Sequence, residues 1–254
     1  CLTRKIMKNI LFLLLMPFMA SANPIDDKCP QFTPYGAPIV QSTTEIYLCK
    51  TNYAIGYNAT TKTATYVVEH VTKEAITGPA KRKDDFRPDP ALPKNAQSQL
   101  TDYSSAGNIY DRGHLVPAGD NTQNDLIMSE SFFLSNMVPQ IANNNRGIWK
   151  QLETKVRTYV ASTGDVYVAS GTIYDQGYTS IGTNKVGVPT RLFKVILDTK
   201  NQKASAYIFP NKALPVQDLE KYRVSILEVE KATGINFNPK IPSNLSAIEA
   251  LLNW

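Results

Sequence analysis

The sequence predicts an α+β fold in which helices flank a central, mainly antiparallel sheet. Short runs rich in β-branched and aromatic residues recur along the chain with turn residues between them, as expected of strands. Two longer segments instead place apolar residues at helical spacing. Strands and helices are interspersed without an internal repeat or a linker, so we predict that residues 23–254 form a single domain.

The first 22 residues have the pattern of a secretory signal peptide. Basic side chains at positions 4, 5 and 8 precede the apolar run Ile10–Met19, and Ala20-Ser21-Ala22 follows it. The run is shorter than the roughly 20 apolar residues that span a bilayer. We therefore predict removal of residues 1–22, with the residues before Met7 as an upstream extension. The remaining protein is expected to be secreted or periplasmic and not to be attached to a membrane.

Net charge alone does not indicate a binding partner. The chain carries 27 Lys and Arg against 22 Asp and Glu, a net charge of +5. Three of these cations lie in the predicted signal peptide, and the remaining 24 leave a net charge of only +2. Binding to nucleic acid without sequence preference depends on clustered cations, which such an average excess does not show.

Two cysteines remain after the predicted cleavage, Cys29 and Cys49. In an oxidising compartment two cysteines most simply form one disulfide. A metal site would need further ligands close by, and the sequence around them offers none. We predict a disulfide between Cys29 and Cys49 that holds the N-terminal segment.

The predicted strands are distributed over most of the chain. They lie at Glu45–Cys49, Tyr53–Tyr57, Thr63–Thr72, Val166–Ser170, Arg191–Asp198 and Lys203–Phe209. Residues 79–94, between the third and fourth of these strands, are rich in proline and charge and are predicted to form a loop.

Helical periodicity is clearest in Gly147–Ala161 and Val216–Thr233, where apolar residues recur every three to four positions. Gly234 directly after the second segment is a typical helix stop. A short helix is also predicted over Ser243–Leu252, close to the C-terminus.

The residues that indicate a chemistry lie between Tyr110 and Arg157. They form three blocks, Asp111-Arg112-Gly113-His114, Ser135-Asn136-Met137-Val138-Pro139-Gln140 and Asn145-Arg146-Gly147-Ile148-Trp149, the last followed by Leu152-Glu153. Histidine is the usual base at neutral pH. Amide and carboxylate oxygens suit Mg²⁺, and arginines bind phosphate oxygens bidentately. This combination favours metal-assisted hydrolysis of a phosphodiester.

The spacing within the last block limits how a metal could be held. Asn145, Trp149, Glu153 and Arg157 are four residues apart and would form one stripe on a helix. Asn145 and Glu153 would then lie about 12 Å apart along the helix axis. Both cannot bind one ion directly, so Glu153 would reach a metal held by Asn145 through a bound water.

The three blocks, in this order and at this spacing, resemble the DNA/RNA non-specific endonuclease family, the ββα-metal nucleases of the Serratia nuclease and mitochondrial endonuclease G type. The likeness is dense over about residues 82–157 and thinner elsewhere. It implies a ββα-metal active-site motif, DNA and RNA as substrates, and Mg²⁺ as cofactor with Mn²⁺ able to substitute. It also implies cleavage of the P–O3′ bond, which leaves 5′-phosphate and 3′-hydroxyl ends.

The resemblance implies a role for each matched residue. His114 would be the general base that activates water. Asn145 would be the single direct protein ligand of Mg²⁺, and Glu153 would act on the ion through a water. Arg112 would stabilise charge in catalysis, and Arg157 would bind the substrate phosphate.

A further phosphate-binding arginine precedes an Asp-Pro pair in the family. Arg82 is the best match, ahead of Asp89-Pro90. Arg87 is the alternative, because the sequence does not fix the length of this loop.

Several of these residues also have a structural interpretation. Asn145, the last of three successive asparagines, could cap the following helix. Glu153 and Arg157 could form an exposed i,i+4 ion pair. His70, the other histidine, has no acidic or arginine cluster near it in the sequence, so we predict a structural role for it.

The function predicted from the sequence is thus a secreted, Mg²⁺-dependent endonuclease that acts on both DNA and RNA. One rival is a nucleic-acid-binding module that keeps the fold without catalysis. Another is a different metal hydrolase such as a phosphomonoesterase, which usually needs several carboxylates or histidines around two metals. The sequence leaves open whether the protein is a monomer or a homodimer, and whether an inhibitor protein binds it.

Overall fold

The computed structural model describes residues 23–41, 44–107, 109–237 and 240. Its strands are β1 Ile39–Val40, β2 Glu45–Cys49, β3 Tyr53–Asn58, β4 Thr63–Thr72, β5 Tyr110–His114, β6 Met137–Ile141, β7 Asp165–Ile173, β8 Ser180–Ile181, β9 Val186–Gly187, β10 Arg191–Asp198, β11 Lys203–Pro210, β12 Arg223–Val224 and β13 Ile235–Asn236. The predicted signal peptide and the predicted helix Ser243–Leu252 lie outside the described residues.

The helices are mostly short, apart from one that follows the β5–β6 pair. They are α1 Pro24–Lys28, α2 Lys73–Thr77, α3 Leu100–Ser104, α4 Asp125–Glu130, α5 Ala142–Asn144, α6 Lys150–Thr163 and α7 Ile226–Thr233. A π-helical turn, Asn145–Trp149, joins α5 to α6. 3-10 turns lie at Pro30–Phe32, Lys94–Ala96, Ala118–Asp120, Leu134–Asn136 and Val216–Tyr222.

Seven strands form the central sheet, in the order β12-β11-β10-β7-β4-β3-β2. Every pairing between named strands is antiparallel. The central pair, β4 and β7, aligns Glu69 with Val168 and His70 with Tyr167. The predicted fold class, an antiparallel sheet flanked by helices, is confirmed.

The two faces of this sheet are covered by different helices. One face packs against the buried residues Trp149, Leu152, Val156 and Val160. The other face packs against α1 and α7, which contribute Ile25, Ile226 and Val229 among others. Since side chains alternate along a strand, each core strand contributes to both apolar layers.

The β5–β6 pair and the helical segment after it form the ββα unit that the resemblance implied. β5 pairs with β6 in an antiparallel register that places His114 opposite Met137. The chain leaves β6 at Ile141 and enters α5, the π-helical turn and α6 without a break. This unit places the three sequence blocks next to one another.

Six strand predictions agree with the structure. β2, β4 and β10 have the predicted limits, whereas β3, β7 and β11 are longer than predicted by one to four residues. The predicted loop over residues 79–94 contains only an isolated bridge at Arg87 and the start of a 3-10 turn.

The prediction of one continuous helix over Val216–Thr233 is wrong. The segment forms a 3-10 turn over Val216–Tyr222, then β12, then α7. Ser225 caps α7 by accepting a hydrogen bond from the Glu228 amide, and the Glu228 carboxylate accepts one from the Ser225 amide. This capping box starts a new helix inside the segment Val216–Thr233, which the apolar periodicity alone had predicted as one helix.

The predicted disulfide is not formed in the structure, where Cys29 and Cys49 are free thiols. The Cys49 thiol lies 3.7 Å from the Lys28 carbonyl oxygen, so the two cysteines are neighbours without being bonded. Burial and the neighbouring Cys49 thiol raise the pKa of Cys29 to about 12, which keeps that thiol protonated.

Among the described residues, none of the helices combines the length and the apolar character that crossing a membrane requires.

Candidate active site

His114 ends strand β5 and is largely buried, with 9% of its surface exposed. The rings of Phe86 and Phe132 meet the imidazole edge-on, with centroids 5.6 and 5.0 Å away. Behind it, the Trp149 indole donates a hydrogen bond of 3.2 Å to the His114 carbonyl oxygen. Strand, helix and loop therefore all contribute to holding this ring.

The surroundings of His114 keep its imidazole uncharged. Burial lowers the pKa of His114 from its ordinary 6.5 to about 3, and the positive charges of Arg82 and Arg112 act in the same direction. Its Nε2 atom has no hydrogen-bond partner among the described residues. The side chain is thus a neutral imidazole whose buried Nε2 has no partner among the described residues.

Two arginines lie beside this histidine. The Arg112 guanidinium stacks 4.3 Å from the centroid of Phe86, and its buried Nε has no partner among the described residues. The Arg82 guanidinium lies 5.0 Å from the centroid of Phe132 and pairs with Asp84 at 2.7 Å. The same aromatic rings that enclose His114 therefore also support two guanidinium groups.

Arg87, the alternative to Arg82, is occupied elsewhere. Its guanidinium donates to Asp85 and to the Ser129 carbonyl oxygen and lies over the ring of Phe133. These contacts tie the 79–94 loop to the end of α4. The geometry thus brings Arg82, and not Arg87, to the histidine.

Asn145 begins the π-helical turn and is held by Asp111 on β5. The side-chain amide nitrogen of Asn145 donates a hydrogen bond of 2.9 Å to the Asp111 carboxylate. The same carboxylate accepts two hydrogen bonds from the Arg146 guanidinium, of 2.8 and 2.6 Å. The Asn145 amide oxygen is left without a partner among the described residues. Asp111 therefore orients this oxygen as a free hard donor, the atom type that Mg²⁺ prefers.

The turn that carries Asn145 departs from a regular helix, which the four-residue stripe assumed. Gly147 within it has φ −104° and ψ −107°. Single π-turns inside helices frequently occur at functional sites. Asn145 lies before this irregularity and Glu153 after it, so the two residues do not share one straight helix.

Gly113 lies where β5 and β6 pack closely together. It lies inside β5, paired with Val138, without a positive φ. A side chain at this position would overlap the side chain of Gln140. Gln140 in turn donates to Asn144 at 2.8 Å, which holds the start of the helical segment. Glycine is therefore needed for close packing between β5 and β6.

Glu153 and Arg157 lie on α6 next to the 3-10 turn that contains Asp120. Arg157 donates to Asp120 at 2.9 Å, and Asp120 is buried. Burial raises the pKa of Glu153 to about 7, and the positive charge of Lys194 opposes that rise. The alternative interpretation, an exposed Glu153–Arg157 ion pair, is not found among the described salt bridges, since Arg157 pairs with Asp120 instead.

A buried polar row under α6 was not predicted from the sequence. Strand alternation places Glu69, Ser170 and Lys194, on the adjacent strands β4, β7 and β10, on the face that α6 covers. Lys194 donates to Ser170 at 2.6 Å and lies 4.6 Å from the centroid of the Trp149 ring. Both carboxylate oxygens of Glu69 lack a hydrogen-bond partner among the described residues.

This row affects the site through charge. Burial raises the pKa of Glu69 well above its usual value and lowers the pKa of Lys194. The negative charges of Glu153 and Asp120 raise the pKa of Glu69 further and oppose the lowering of the Lys194 pKa. A lysine inside the otherwise apolar run of β10 was the signal in the sequence that could have indicated it.

His70 lies outside this site, as predicted. Its ring stacks on Tyr167 with centroids 4.2 Å apart, and its Nε2 lies 2.6 Å from the Asp165 carboxylate. The acidic neighbour comes from the adjacent strand, which the local sequence could not show.

The residues present fit a metal held by few protein ligands. Asn145 offers one free amide oxygen, and Glu153 offers a half-buried carboxylate on the next part of the helix. No cluster of three or more histidine, cysteine or acidic ligands occurs in the part of the chain that the structure describes. A site built from one amide oxygen and waters is compatible with Mg²⁺, which usually keeps several waters.

Residues 31–244 match the family model described as DNA/RNA non-specific endonuclease. The chain belongs to this family. The resemblance inferred from the three sequence blocks is thereby confirmed, and the family consists of metal-dependent enzymes that hydrolyse nucleic acids.

Curated relatives agree with this assignment. The chain is 37% identical over 208 residues to "Nuclease EXOG, mitochondrial" of Danio rerio, which covers 75% of this chain and 60% of that protein. It is 35% identical to "Nuclease C1" of Cunninghamella echinulata var. echinulata, over 77% of this chain and 83% of that protein. The chain thus spans about 60% of the length of the EXOG relatives and more of the fungal one.

A solved structure supports the same fold. The crystal structure described as the EndoG/EndoGI complex, and as showing the mechanism of EndoG inhibition, contains a chain that matches with a TM-score of 0.76. The match has 29% sequence identity and covers 88% of this chain and 94% of that chain. The ββα-metal nuclease fold therefore extends well beyond the three motif blocks.

The predicted secreted or periplasmic location is wrong. The nuclease EXOG relatives from Danio rerio, Mus musculus, Homo sapiens and Xenopus laevis are all named as mitochondrial. The prediction rested on a basic and apolar N-terminal pattern, and that pattern by itself does not identify a compartment.

Proposed function

We propose that residues 23–254 form a single nuclease domain that hydrolyses phosphodiester bonds within DNA and RNA, with Mg²⁺ as cofactor. The observation that carries this proposal is the state of His114, a buried neutral imidazole with a free Nε2 beside two arginines. A general base must be unprotonated and unengaged before it can accept a proton. A silent binding module has no need of such a group.

The proposed reaction is the attack of water on the phosphorus atom. His114 Nε2 accepts a proton from the water as the new P–O bond forms. The bond from phosphorus to O3′ breaks, and the departing O3′ oxygen takes a proton from a water molecule, which leaves a 5′-phosphate and a 3′-hydroxyl. Proton transfer of this kind contributes roughly 10²- to 10⁴-fold to the rate.

The arginines would hold the phosphate in place for this attack. Arg112 and Arg82 lie beside His114, and guanidinium groups bind phosphate oxygens bidentately. Arg157 is proposed as a further phosphate contact, with Asp120 fixing its position. Contacts to phosphate carry no sequence information, so cleavage without sequence preference is expected.

Mg²⁺ would be held by the Asn145 amide oxygen, with Glu153 acting through a bound water. When bound, the ion supplies positive charge that stabilises the charge developing on the phosphate oxygens. Asp111 contributes by keeping the Asn145 oxygen free and oriented. Mn²⁺ is expected to substitute, because it takes the same oxygen ligands.

The test is cleavage of supercoiled plasmid DNA and of bulk RNA by the purified protein. Each substrate is incubated with Mg²⁺, with EDTA, and with the His114→Ala variant. We expect metal-dependent cutting of both substrates that the substitution abolishes. Binding of nucleic acid without cutting in any divalent metal would overturn the proposal in favour of a silent binding module.

A further inference from the structure

A groove opens beside the start of α6, outside the histidine site. It has a volume of about 400 Å³ and lies between α6 and the 3-10 turn at Val216–Tyr222. The α6 side presents Arg146, Lys150, Gln151, Thr154 and Lys155, and the other side presents Val216. The groove is open along its length and large enough for part of an extended chain.

This groove is positively charged, although one of its cations, Arg146, is paired with Asp111 at 2.6 Å. Three of its lining residues are cations, and no acidic residue is among the described residues that line it. Lys150 and Lys155 form no salt bridge within the described ranges. The acids on the facing 3-10 turn are already engaged, since Asp218 pairs with Lys221 and Glu220 pairs with Arg223.

The groove adjoins the candidate metal site through Asp111. Arg146 in the groove and Asn145 in the site are adjacent in sequence, and both donate to the Asp111 carboxylate. A polyanion bound along the groove would therefore reach the site at the residue proposed to hold the metal.

We propose that this groove binds the phosphate backbone of the nucleic-acid strand next to the scissile phosphate, with Lys150 and Lys155 each neutralising one phosphate. This inference rests on the proposed nuclease function and adds where the flanking strand lies. The two lysines are about 7.5 Å apart along the helix axis at 1.5 Å per residue. For comparison, the charges of one strand advance by about 3.4 Å each along the axis of a duplex.

The chemistry of the groove specifies the ligand. Flexible ammonium groups bind phosphate as point charges, and contacts to phosphate carry no sequence information. Gln151 and Thr154 add polar groups between the two lysines, which can bind phosphate or sugar oxygens without sequence preference. The groove thus fits a strand of either DNA or RNA.

The test compares the salt dependence of binding for two matched double variants. Lys150→Ala/Lys155→Ala removes the groove lysines. Lys28→Ala/Lys231→Ala removes the same charge from exposed residues of α1 and α7, on the opposite face of the sheet. Both are made in the His114→Ala background so that the substrate survives. Binding of a fluorescent oligonucleotide is measured by anisotropy over a series of KCl concentrations, as single strand and as duplex.

We expect the groove variant to bind more weakly than the background protein and to have a shallower salt dependence. Each lost phosphate contact should reduce the slope of log K against log [KCl] by about 1, so the pair should reduce it by about 2. The control pair should leave the slope unchanged. Equal slopes for the groove and control variants, with both folded as judged by thermal unfolding, would overturn the inference.

The experiments distinguish an error in the groove assignment from an error in the proposed nuclease function. If His114-intact protein cuts nucleic acid and the slope does not change, the groove assignment alone is wrong. If His114-intact protein cuts neither DNA nor RNA in any divalent metal, the proposed function is wrong whatever the slope shows.

Discussion

The state of His114 depends on residues that are distant from it in the sequence. Phe86 and Phe132 exclude water from the ring, and the nearest fixed charges are the arginines at 82 and 112. The imidazole is therefore neutral at neutral pH. The motif around His114 identified the residue, whereas its protonation state follows from the packing.

The lowered pKa of His114 predicts a stability change with pH. The unfolded chain binds this proton near the ordinary pKa of 6.5, and the folded protein does so only near pKa about 3. Stability is thus fully present above pH 6.5 and is lost as the pH falls below it. At about pH 5 the loss from this group is about 2 kcal/mol. Urea unfolding at two pH values measures it.

His114→Gln should remove this pH-dependent part, while His70→Gln, outside the site, should leave it in place. The interpretation of His114 as a buried neutral group would be contradicted if both variants lost stability with pH to the same extent as the wild type.

The two candidate arginines are expected to differ in what they contribute. Arg82→Ala should lower kcat/KM for a nucleic-acid substrate by about 100-fold, the usual cost of removing one group that stabilises transition-state charge. The unfolding free energy should change little, since the Arg82 side chain is 55% exposed. Arg87→Ala should instead cost about 1 kcal/mol of stability, because it removes loop contacts. The reverse pattern would assign the phosphate contact to Arg87.

At the scale of elements, the ββα unit depends on a polar contact between β5 and the π-helical turn. Asp111 on the strand accepts hydrogen bonds from Asn145 and Arg146 on the turn. The turn is irregular at Gly147 and has no side-chain cap, so this carboxylate is the group that fixes the Asn145 amide. Partners that orient metal ligands typically contribute 10- to 100-fold to metal affinity.

We accordingly expect Asp111→Ala to weaken Mn²⁺ binding by about 10- to 100-fold. Mn²⁺ binding is measured directly by electron paramagnetic resonance of the free ion. Asp175→Ala is the matched control, because Asp175 also accepts two hydrogen bonds from one arginine, Arg191, away from the site. Unchanged affinity in Asp111→Ala would contradict the assigned role of Asn145.

Local pattern predicted some elements well and others poorly. The strands Thr63–Thr72 and Arg191–Asp198 have their predicted limits, because each is a run of β-forming residues with clear ends. Val216–Thr233 was predicted as one helix because apolar spacing continues through the break before Ser225. The π-turn was not predictable, since it depends on contacts with β5 and not on local spacing.

For the candidate site, too, the local sequence pattern does not show which distant residues meet in the fold. The motif blocks indicated His114, Asn145 and Glu153, and the structure brings the segments that carry them together. Glu69 and Lys194 were missed because they are over 100 residues apart and meet only through sheet order. The free thiols of Cys29 and Cys49 were missed because an even number of cysteines and an expected oxidising compartment do not establish that a disulfide forms.

At the scale of the whole molecule, the central sheet places two buried titratable groups beneath α6. Glu69 on β4 and Lys194 on β10 lie on either side of β7, and α6 covers both. The two groups act on each other electrostatically, since Lys194 lowers the pKa of Glu69 and Glu69 raises the pKa of Lys194. The sheet thus links the stability of the core to the position of Glu153.

A double-mutant cycle tests this link. Lys194→Met and Glu69→Leu are each expected to destabilise the protein, and the double variant should be less destabilised than the sum of the two. The expected coupling is about 1–3 kcal/mol, as for buried groups that share a network. Urea unfolding of the four proteins gives the value. Additive effects would contradict an interaction between the two strands at this point.

The central claim is that His114 is the general base, and chemical rescue tests it most directly. Plasmid cleavage is measured for the wild type, His114→Ala and His70→Ala in Mg²⁺, with and without added imidazole. We expect His114→Ala to lose roughly 10²- to 10⁴-fold in rate, imidazole to restore part of that loss, and His70→Ala to cut like the wild type in both conditions. A His114→Ala protein that cuts at the wild-type rate without imidazole would contradict the account.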